Sequence, residues 1–545
     1  MTQIQETPVH SSTATTHTYD AIIVGAGFAG LYMLYRLRQL GLSSRVLEAG
    51  DGIGGTWYWN RYPGARCDVE SMEYSYSFSQ KLQEEWQWSE RYAGQPEILR
   101  YIHHVADRFE LWSDIQLSTR VASATFDEAA GCWAIATEAG EQFTAAYCIM
   151  ATGCLSVARV PSFEGLDSFE GNTYHTGNWP HEGVDFTGQR VAVIGTGSSG
   201  IQSIPVIAEQ AAHLYVFQRT PNFSIPARNM PLTPEYQQQV KANYDQIRWT
   251  ARNSAFGVCF DPNDQAALET THEAHEREYR RRWEKGGLSF LVAFNDLLLS
   301  KEANETAAEF VRARIRETVR NPSIAETLMP FDHPIGTKRI CADTNYYETF
   351  NREHVTLIDV RATPIAAITP RGLRTTETEF EVDSIVFATG FDAMTGALMN
   401  IDIRGRGGQS LHEKWAAGPR TYLGLMVADF PNLFTITGPG SPSVLSNMMV
   451  SIEQHVDWIT DCIKYLRSHD MRTIEATVAA EDEWVEHVNT VAHYTLFPMA
   501  NSWYMGANIP GKPRVFMPYV GGVNAYAERC NDAAAQGYRG FALSA

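Results

Sequence analysis

Two short apolar runs in this chain end in glycine-rich turns and restart as helical patterns. The first is Ala21–Val24, then Gly25-Ala-Gly27-Phe28-Ala-Gly30, then Leu31-Tyr-Met-Leu-Tyr-Arg-Leu. The second is Val191–Ile194, then Gly195-Thr196-Gly197-Ser198-Ser199-Gly200, then Ile201-Gln202-Ser-Ile-Pro-Val-Ile. Each predicts a strand, a tight turn and a helix. Strand-like runs follow about one βαβ unit later, at Arg45–Glu48 and at Leu214–Arg219. Further β-like segments lie around Gln116–Phe126 and Cys132–Thr137. A hydrophobic strand closing on Ala-Thr-Gly occurs twice, at Tyr147–Gly153 and at Ser384–Gly390, the second continuing into Phe391-Asp392. In Lys301–Arg320, the residues Ala307, Val311, Ile315 and Val319 repeat every four positions among charged residues, which predicts a helix. Ser446–Leu466 is helical in pattern as well.

These elements predict an α/β protein with two Rossmann-like dinucleotide-binding domains and a helical insertion in the second. The expected division is a disordered Ser/Thr-rich leader over 1–18, a first domain over 19–152, and a second over 153–221. The insertion spans 222–334, the second domain resumes over 335–390, and the first is completed by 391–545. A length of 545 residues suits several cores and not one.

In a βαβ unit of this kind the glycines allow a tight turn and close approach of a pyrophosphate to a helix N-terminus. The residue ending the next strand then reads the adenosine ribose. After the first loop that residue is Glu48, suited to free ribose hydroxyls, as in FAD or NAD. After the second it is Arg219, suited to a 2′-phosphate, as in NADPH. The pair predicts FAD in the first site and NADPH in the second.

Charge narrows the partners. A net charge of −19 argues against nucleic acid or an anionic membrane. No run approaches the ~20 apolar residues of a membrane span. The eight cysteines form no CxxC and no Cys/His cluster with zinc spacing, so no metal site is expected. No Cys-x4-Cys follows the first loop, which argues against a disulfide reductase. Scattered thiols and the lack of a signal peptide fit the cytoplasm. The group His272, His275 and Glu276 reads as a solvated face.

Between the two units stands Phe169-Glu-Gly171-Asn-Thr-Tyr-His175-Thr-Gly-Asn-Trp179-Pro180. This string resembles the fingerprint of the Baeyer–Villiger monooxygenases, with Trp179-Pro180 as its discriminating end. Gly54-Gly55-Thr56-Trp57 through Arg66-Cys67-Asp68, the pair Lys338-Arg339, Ala388–Asp392 and Asn501–Arg514 resemble the same family, closest to its phenylacetone and steroid monooxygenase branch. The resemblance covers nearly everything after residue 18.

What the resemblance implies is specific. NADPH reduces the flavin, O2 forms a C4a-peroxyflavin, and that species attacks a small-molecule ketone to give an ester or lactone. Arg339 matches the catalytic arginine that stabilises the tetrahedral adduct, and Asp68 the carboxylate that pairs with it. A permanent cation there holds developing negative charge. FAD contacts are implied at Gly25, Gly27, Phe28, Gly30, Glu48, Gly55, Thr56, Trp57, Asp68, Tyr74 and Val121. NADP contacts are implied at Arg66, Asp68, Gly195, Thr196, Gly197, Ser198, Ser199, Gly200, Gln202, Arg219, Lys338, Arg339 and Trp503. Trp503 matches a residue that retains NADP⁺ after hydride transfer, and Leu445 and Met448 would border the substrate pocket. The expected state is a monomer or weak homo-oligomer. The alternatives are a flavin-containing N- or S-oxygenating monooxygenase, and a redox sensor that has lost catalysis.

Overall fold

The computed structural model describes residues 16–545. Two sheets organise it, and each carries one of the glycine turns at the end of an interior strand. In the first, eight-stranded sheet, Thr16–Val24 is flanked in parallel by Ser44–Leu47 and Gln142–Met150. The antiparallel strands Val121–Asp127 and Cys132–Thr137 extend it. The C-terminal third of the chain returns to this sheet twice. Leu433–Thr435 pairs with Cys148–Met150, and Asp402–Arg404 pairs with Ser123–Thr125. The second sheet has five strands, all parallel, in the order Val355–Asp359, His213–Gln218, Arg190–Ile194, Ser384–Phe387, Asn172–His175.

The registers of the two sheets correspond. Val24 sits between Leu47 and Met150, and Ile194 sits between Phe217 and Phe387. The two Ala-Thr-Gly segments thus leave their sheets beside the two glycine turns. A turn at the carboxyl end of a strand between two parallel neighbours opens into the crevice where α/β proteins bind ligands.

Two boundaries and the content of the insertion differ from the sequence reading. The first strand begins at Thr16, so Thr16–Thr18, assigned to the leader, pair with Gln142–Thr144. Their polarity hides a strand that backbone pairing creates. The rest of that leader, residues 1–15, lies outside the described residues. The helix expected from Ser446 begins at Met448, because the Asn447 side chain accepts from the amide of Met449 and caps it. The insertion contains helices at Pro234–Ala242, Tyr244–Arg252, His272–Lys285, Lys301–Thr318 and Pro322–Leu328, and also a short strand. That strand, Ser224–Pro226, runs parallel to Cys341–Asp343 just after the insertion. It is too short to show a periodicity, yet it brings the end of the insertion back beside its start.

In Lys301–Thr318 the four-residue repeat packs as expected: Ala307, Val311 and Ile315 are buried, as is Val319 after it. His275 differs from expectation. Its ring packs edge-on to Phe294 and its Nε2 meets the Ala267 carbonyl at 2.5 Å, so it supports a turn rather than facing solvent. Among the described residues no helix is long and apolar enough to cross a membrane, and no group of three or more His, Cys, Asp or Glu could hold a metal ion.

Candidate active site

The two glycine turns are built alike. Gly25 has φ +106° and Gly195 φ +113°, a region that side-chain-bearing residues rarely adopt. A Cβ at either would strike a carbonyl: Ala151 for Gly25, Ala388 for Gly195. The recurring Ala-Thr-Gly segments therefore form the back of each turn. The third glycines, Gly30 and Gly200, lie against the carbonyls of Gly25 and Gly195. The middle glycines begin the helices Phe28–Gln39 and Ser198–Gln210 with nearly identical geometry, φ −80° and −82°, ψ −170° in both.

Neither helix has a side-chain cap, whereas Thr233, Thr271 and Ser300 cap helices in the insertion. The first-turn amides of both are left for an anion, with the positive end of the helix dipole behind them. A Cβ on Gly197 would meet nothing within 4 Å, so space for a phosphate stands directly over the turn. At the first turn Gly27 faces Gly55, whose φ is +53°. Both cradles fit a dinucleotide pyrophosphate. Gly27 is partly buried and Gly197 exposed, so the first cradle is enclosed and the second open.

The residues beyond the cradles differ in charge and in burial. Glu48 is buried and accepts from the amides of Ala26 at 2.7 Å and Gly50 at 2.8 Å. Burial pushes its carboxyl above the usual range, and those two amides hold it back. Phe28 and Tyr74 pack edge-to-face at 5.7 Å, and the Trp57 indole donates to the Tyr74 hydroxyl at 3.1 Å. Thr56 is exposed and Val121 buried at the start of its strand. At the second cradle Arg219 is exposed at the strand end. Burial lowers the Lys338 ammonium pKa; Asp332 opposes this, while Arg219 and Arg361 add like charge. This is a cluster of positive charge on an acidic chain. Thr196 donates to the Thr220 carbonyl at 3.0 Å, and the Ser198 hydroxyl meets the Cys341 thiol at 3.2 Å. Gln202 accepts from the Tyr62 hydroxyl at 2.8 Å and donates to the Arg66 carbonyl at 3.0 Å. It thereby ties the second loop's helix to the Trp57–Asp68 segment. The Arg66 guanidinium itself pairs with Glu90 at 2.9 Å.

The Phe169–Pro180 string is a joint. A Cβ on Gly171 would strike the Asp383 carbonyl and the Phe169 ring. The buried Trp179 packs on Tyr174 at 5.4 Å and Phe186 at 6.2 Å, and Pro180 follows it. His175 Nδ1 accepts from the Gly177 amide at 2.9 Å, so Nε2 carries the proton and donates to the Arg159 carbonyl at 3.1 Å. The Thr389 hydroxyl donates to that same carbonyl. Burial lowers the His175 pKa, against the Arg159 bond, which leaves the ring neutral at pH 7. The later segment locks onto the adjoining motif: Asn508 donates to the Phe391 carbonyl at 2.7 Å and Lys512 reaches Asp392 at 2.5 Å.

Arg339 and Asp68 meet across 271 positions of sequence. The guanidinium donates from Nε at 3.0 Å and Nη2 at 2.8 Å to the two carboxylate oxygens, a bidentate pair. Nη1 donates to the Val444 carbonyl at 2.8 Å. Three of the five guanidinium N–H groups are thus committed and two remain. The side chains stay 26% and 25% exposed, so the cation is held and still reachable. Burial pulls the Arg339 pKa down, and Asp68, followed by Tyr504, more than reverses this, so the net shift is upward and the charge is permanent.

Both residues line a cavity of about 770 Å³ together with Leu445, Tyr504 and residues of the insertion. No residue of either glycine turn lines it. Met448 differs from expectation: it opens its helix and packs between two hydrophobic clusters, outside the cavity wall. Trp503 packs, tilted by 50°, with its ring centroid 4.2 Å from that of Tyr504, which is buried, with its hydroxyl pKa pushed up by burial, against Arg339, to about 12. Tyr504 and the Val444 carbonyl were missed by sequence reasoning. Tyr504 adjoins Trp503 in the matched string and could have been found there; a backbone carbonyl leaves no sequence signal.

Two dinucleotide cradles with a partly exposed cation–carboxylate pair and a separate cavity define a two-nucleotide oxidoreductase. Residues 22–279 match the family model described as pyridine nucleotide-disulphide oxidoreductase. All eight cysteines are free thiols. A Baeyer–Villiger monooxygenase of Pseudooceanicola batsensis is 42% identical over 524 residues, 95% of each chain. A phenazine N-monooxygenase of Lysobacter antibioticus is 41% identical over 532 residues, 97% of each. The structure of an oxidised steroid monooxygenase bound to NADP is 52% identical, with a TM-score of 0.93 over 97% of this chain and 99% of that one. The chain belongs to the Baeyer–Villiger monooxygenase family.

Proposed function

We infer that this protein is an FAD-containing, NADPH- and O2-dependent monooxygenase that inserts one oxygen atom next to a ketone carbonyl, giving an ester or lactone. The observation that carries the reading is the Arg339–Asp68 pair on the wall of a cavity distinct from both cradles. Bound FAD, reduced by NADPH, supplies the activated oxygen. Arg339, lining the cavity, holds the negative charge that develops on the ketone oxygen. Asp68 fixes the guanidinium plane, and the Val444 carbonyl fixes its third edge. Glu48 and the enclosed first cradle hold FAD as a resident group. Arg219, Lys338 and the open second cradle take a cofactor that exchanges. Trp503, packed on the cavity-lining Tyr504, is the residue read as keeping NADP⁺ in place, which would exclude water from the reacting groups. The free thiols support a reducing cytosol as its place of action.

The test is a ketone panel with NADPH oxidation and mass-spectrometric product analysis. Ester or lactone carrying one added oxygen is the expected product. NADPH consumption with no oxygenated ketone product would sink the reading. The phenazine-oxidising relative favours N-oxygenation as a second reading, so a nitrogen heteroaromatic belongs in the panel. Faster conversion of that compound than of every ketone would favour it.

A further inference from the structure

We propose that Glu73 is a second recognition group in the cavity, and that the ketone this enzyme takes carries a hydroxyl on an otherwise bulky apolar body. The proposal rests on the function inferred above. The cavity volume of about 770 Å³ is that of a site for a drug-sized ligand, several times a simple ketone. Much of its wall is apolar, including Met72, Leu232, Val240, Ile247 and Phe256.

Four carboxylates line it, and three have an evident disposition. Asp68 is paired with Arg339, and Glu70 with Arg91 at 2.7 Å. Glu284 lies on the exposed surface. Glu73 is the fourth. Its Oε2 accepts from the Cys259 amide at 2.7 Å, and its Oε1 has no hydrogen-bond partner among the described residues. The residue is clamped from two sides. Its carbonyl accepts from Arg248 Nη1 at 3.0 Å, on the insertion, and from Asn447 Nδ2 at 3.1 Å, at the cap of the C-terminal helix. Its amide, with that of Tyr74, closes a turn on the Glu70 carbonyl, both at 2.9 Å. Backbone and one oxygen are fixed, so the carboxylate is held in place on a residue that lines the cavity. Burial pushes this carboxyl above its usual range, and the Cys259 amide only partly restores it.

An acceptor so placed is short of a donor. An all-apolar ligand covering it would strip its water and return nothing, whereas a hydroxyl would satisfy it. Such sites reject analogues lacking the hydroxyl more strongly than apolar pockets reject an extra methyl. Glu73 follows Asp68 by five residues, so the two lie within about 18 Å, the reach of an extended chain of that length. A multi-ring or long-chain hydroxyketone can span that interval.

The experiment measures binding to the full-length, FAD-loaded, NADP⁺-bound protein by calorimetry. The probes are ketones of increasing chain length, each ending in either a hydroxyl or a methyl group. At one length the hydroxyl form should bind about ten- to a hundredfold tighter. Glu73→Leu should abolish or invert that ratio. Glu73→Gln, which keeps an acceptor for the Cys259 amide and preserves folding, should lower the ratio without inverting it. An equal ratio in wild type and both variants, or no hydroxyl preference in wild type at any length, would overturn the proposal. Product analysis on the same ketones separates the two readings. Binding preference without oxygenation would defeat the function and leave Glu73; oxygenation without preference would do the reverse.

Discussion

Nη1 of Arg339 donates to the carbonyl of Val444 at 2.8 Å, while its Nε and Nη2 are taken by Asp68. The cation is therefore aimed by a carboxylate from the first domain and by a carbonyl from the C-terminal return. A lysine keeps the charge, but its three donors radiate from one nitrogen and cannot reproduce the planar fork that binds Asp68 through two nitrogens and Val444 through a third. Arg339→Lys should retain a small part of ester formation, and Arg339→Ala should lose at least about a hundredfold. Flavin bleaching by NADPH should persist in both. Stopped-flow absorbance follows the bleaching and mass spectrometry the ester. Normal ester yield from Arg339→Ala would remove the residue from the chemistry.

The charge cluster at the second cradle gives a cofactor test. Arg219→Ala and Lys338→Ala should each weaken NADPH binding about tenfold or more, through loss of a charge-assisted contact to the 2′-phosphate. Affinity for NADH, which lacks that phosphate, should change little. Equal losses for both cofactors would show that these cations serve the pyrophosphate or the fold.

Glycine geometry separates a folding defect from a binding defect. Gly200→Ala forces a methyl into the Gly195 carbonyl and should destabilise the second domain. Gly197→Ala meets open space, so thermal stability of the unliganded protein should hold within a degree or two while NADPH binding falls. The check is to compare melting temperatures with and without NADP⁺. A stable Gly197→Ala protein that is still shifted normally by NADP⁺ would contradict the phosphate cradle.

Asp343 supplies a pH dependence. It is buried in the strand that anchors the insertion, and burial pushes its pKa up to about 6, although Ser224 and the Tyr346 amide bind it. The unfolded value is near 3.9. A raised acid favours folding while protonated, so its contribution is fully present below about pH 4 and is lost as pH rises through 6. The loss amounts to about 3 kcal/mol. Asp343→Asn should gain melting temperature over wild type between pH 5 and pH 8. A constant difference across that range would mean that Asp343 does not titrate there.

The order of residues alone reveals both dinucleotide units, because the relevant signals are local. Gly25, Gly27 and Gly30 are needed within one turn, and so are Gly195, Gly197 and Gly200. The charge contrast of Glu48 and Arg219 is also local, each standing one βαβ unit from its loop. The four-residue repeat of Lys301–Thr318 survives because one helix face is buried.

What lies between distant segments was decided by tertiary structure. Thr16–Thr18 are polar and become strand only because Gln142–Thr144 lie alongside. His275 carries no sequence mark of the Phe294 ring it packs against. Met448 and Leu445 are equal candidates by position, and the tertiary structure places Leu445 on the cavity wall and Met448 against two hydrophobic clusters. Arg339 and Asp68 could be named from a string, but their bidentate contact, the Val444 carbonyl and the Glu73–Cys259 contact join segments far apart in sequence. The physical reason is that turns and helix faces are written in neighbouring residues, whereas an active site is a juxtaposition of segments whose contacts exist only after the sheets have brought them together.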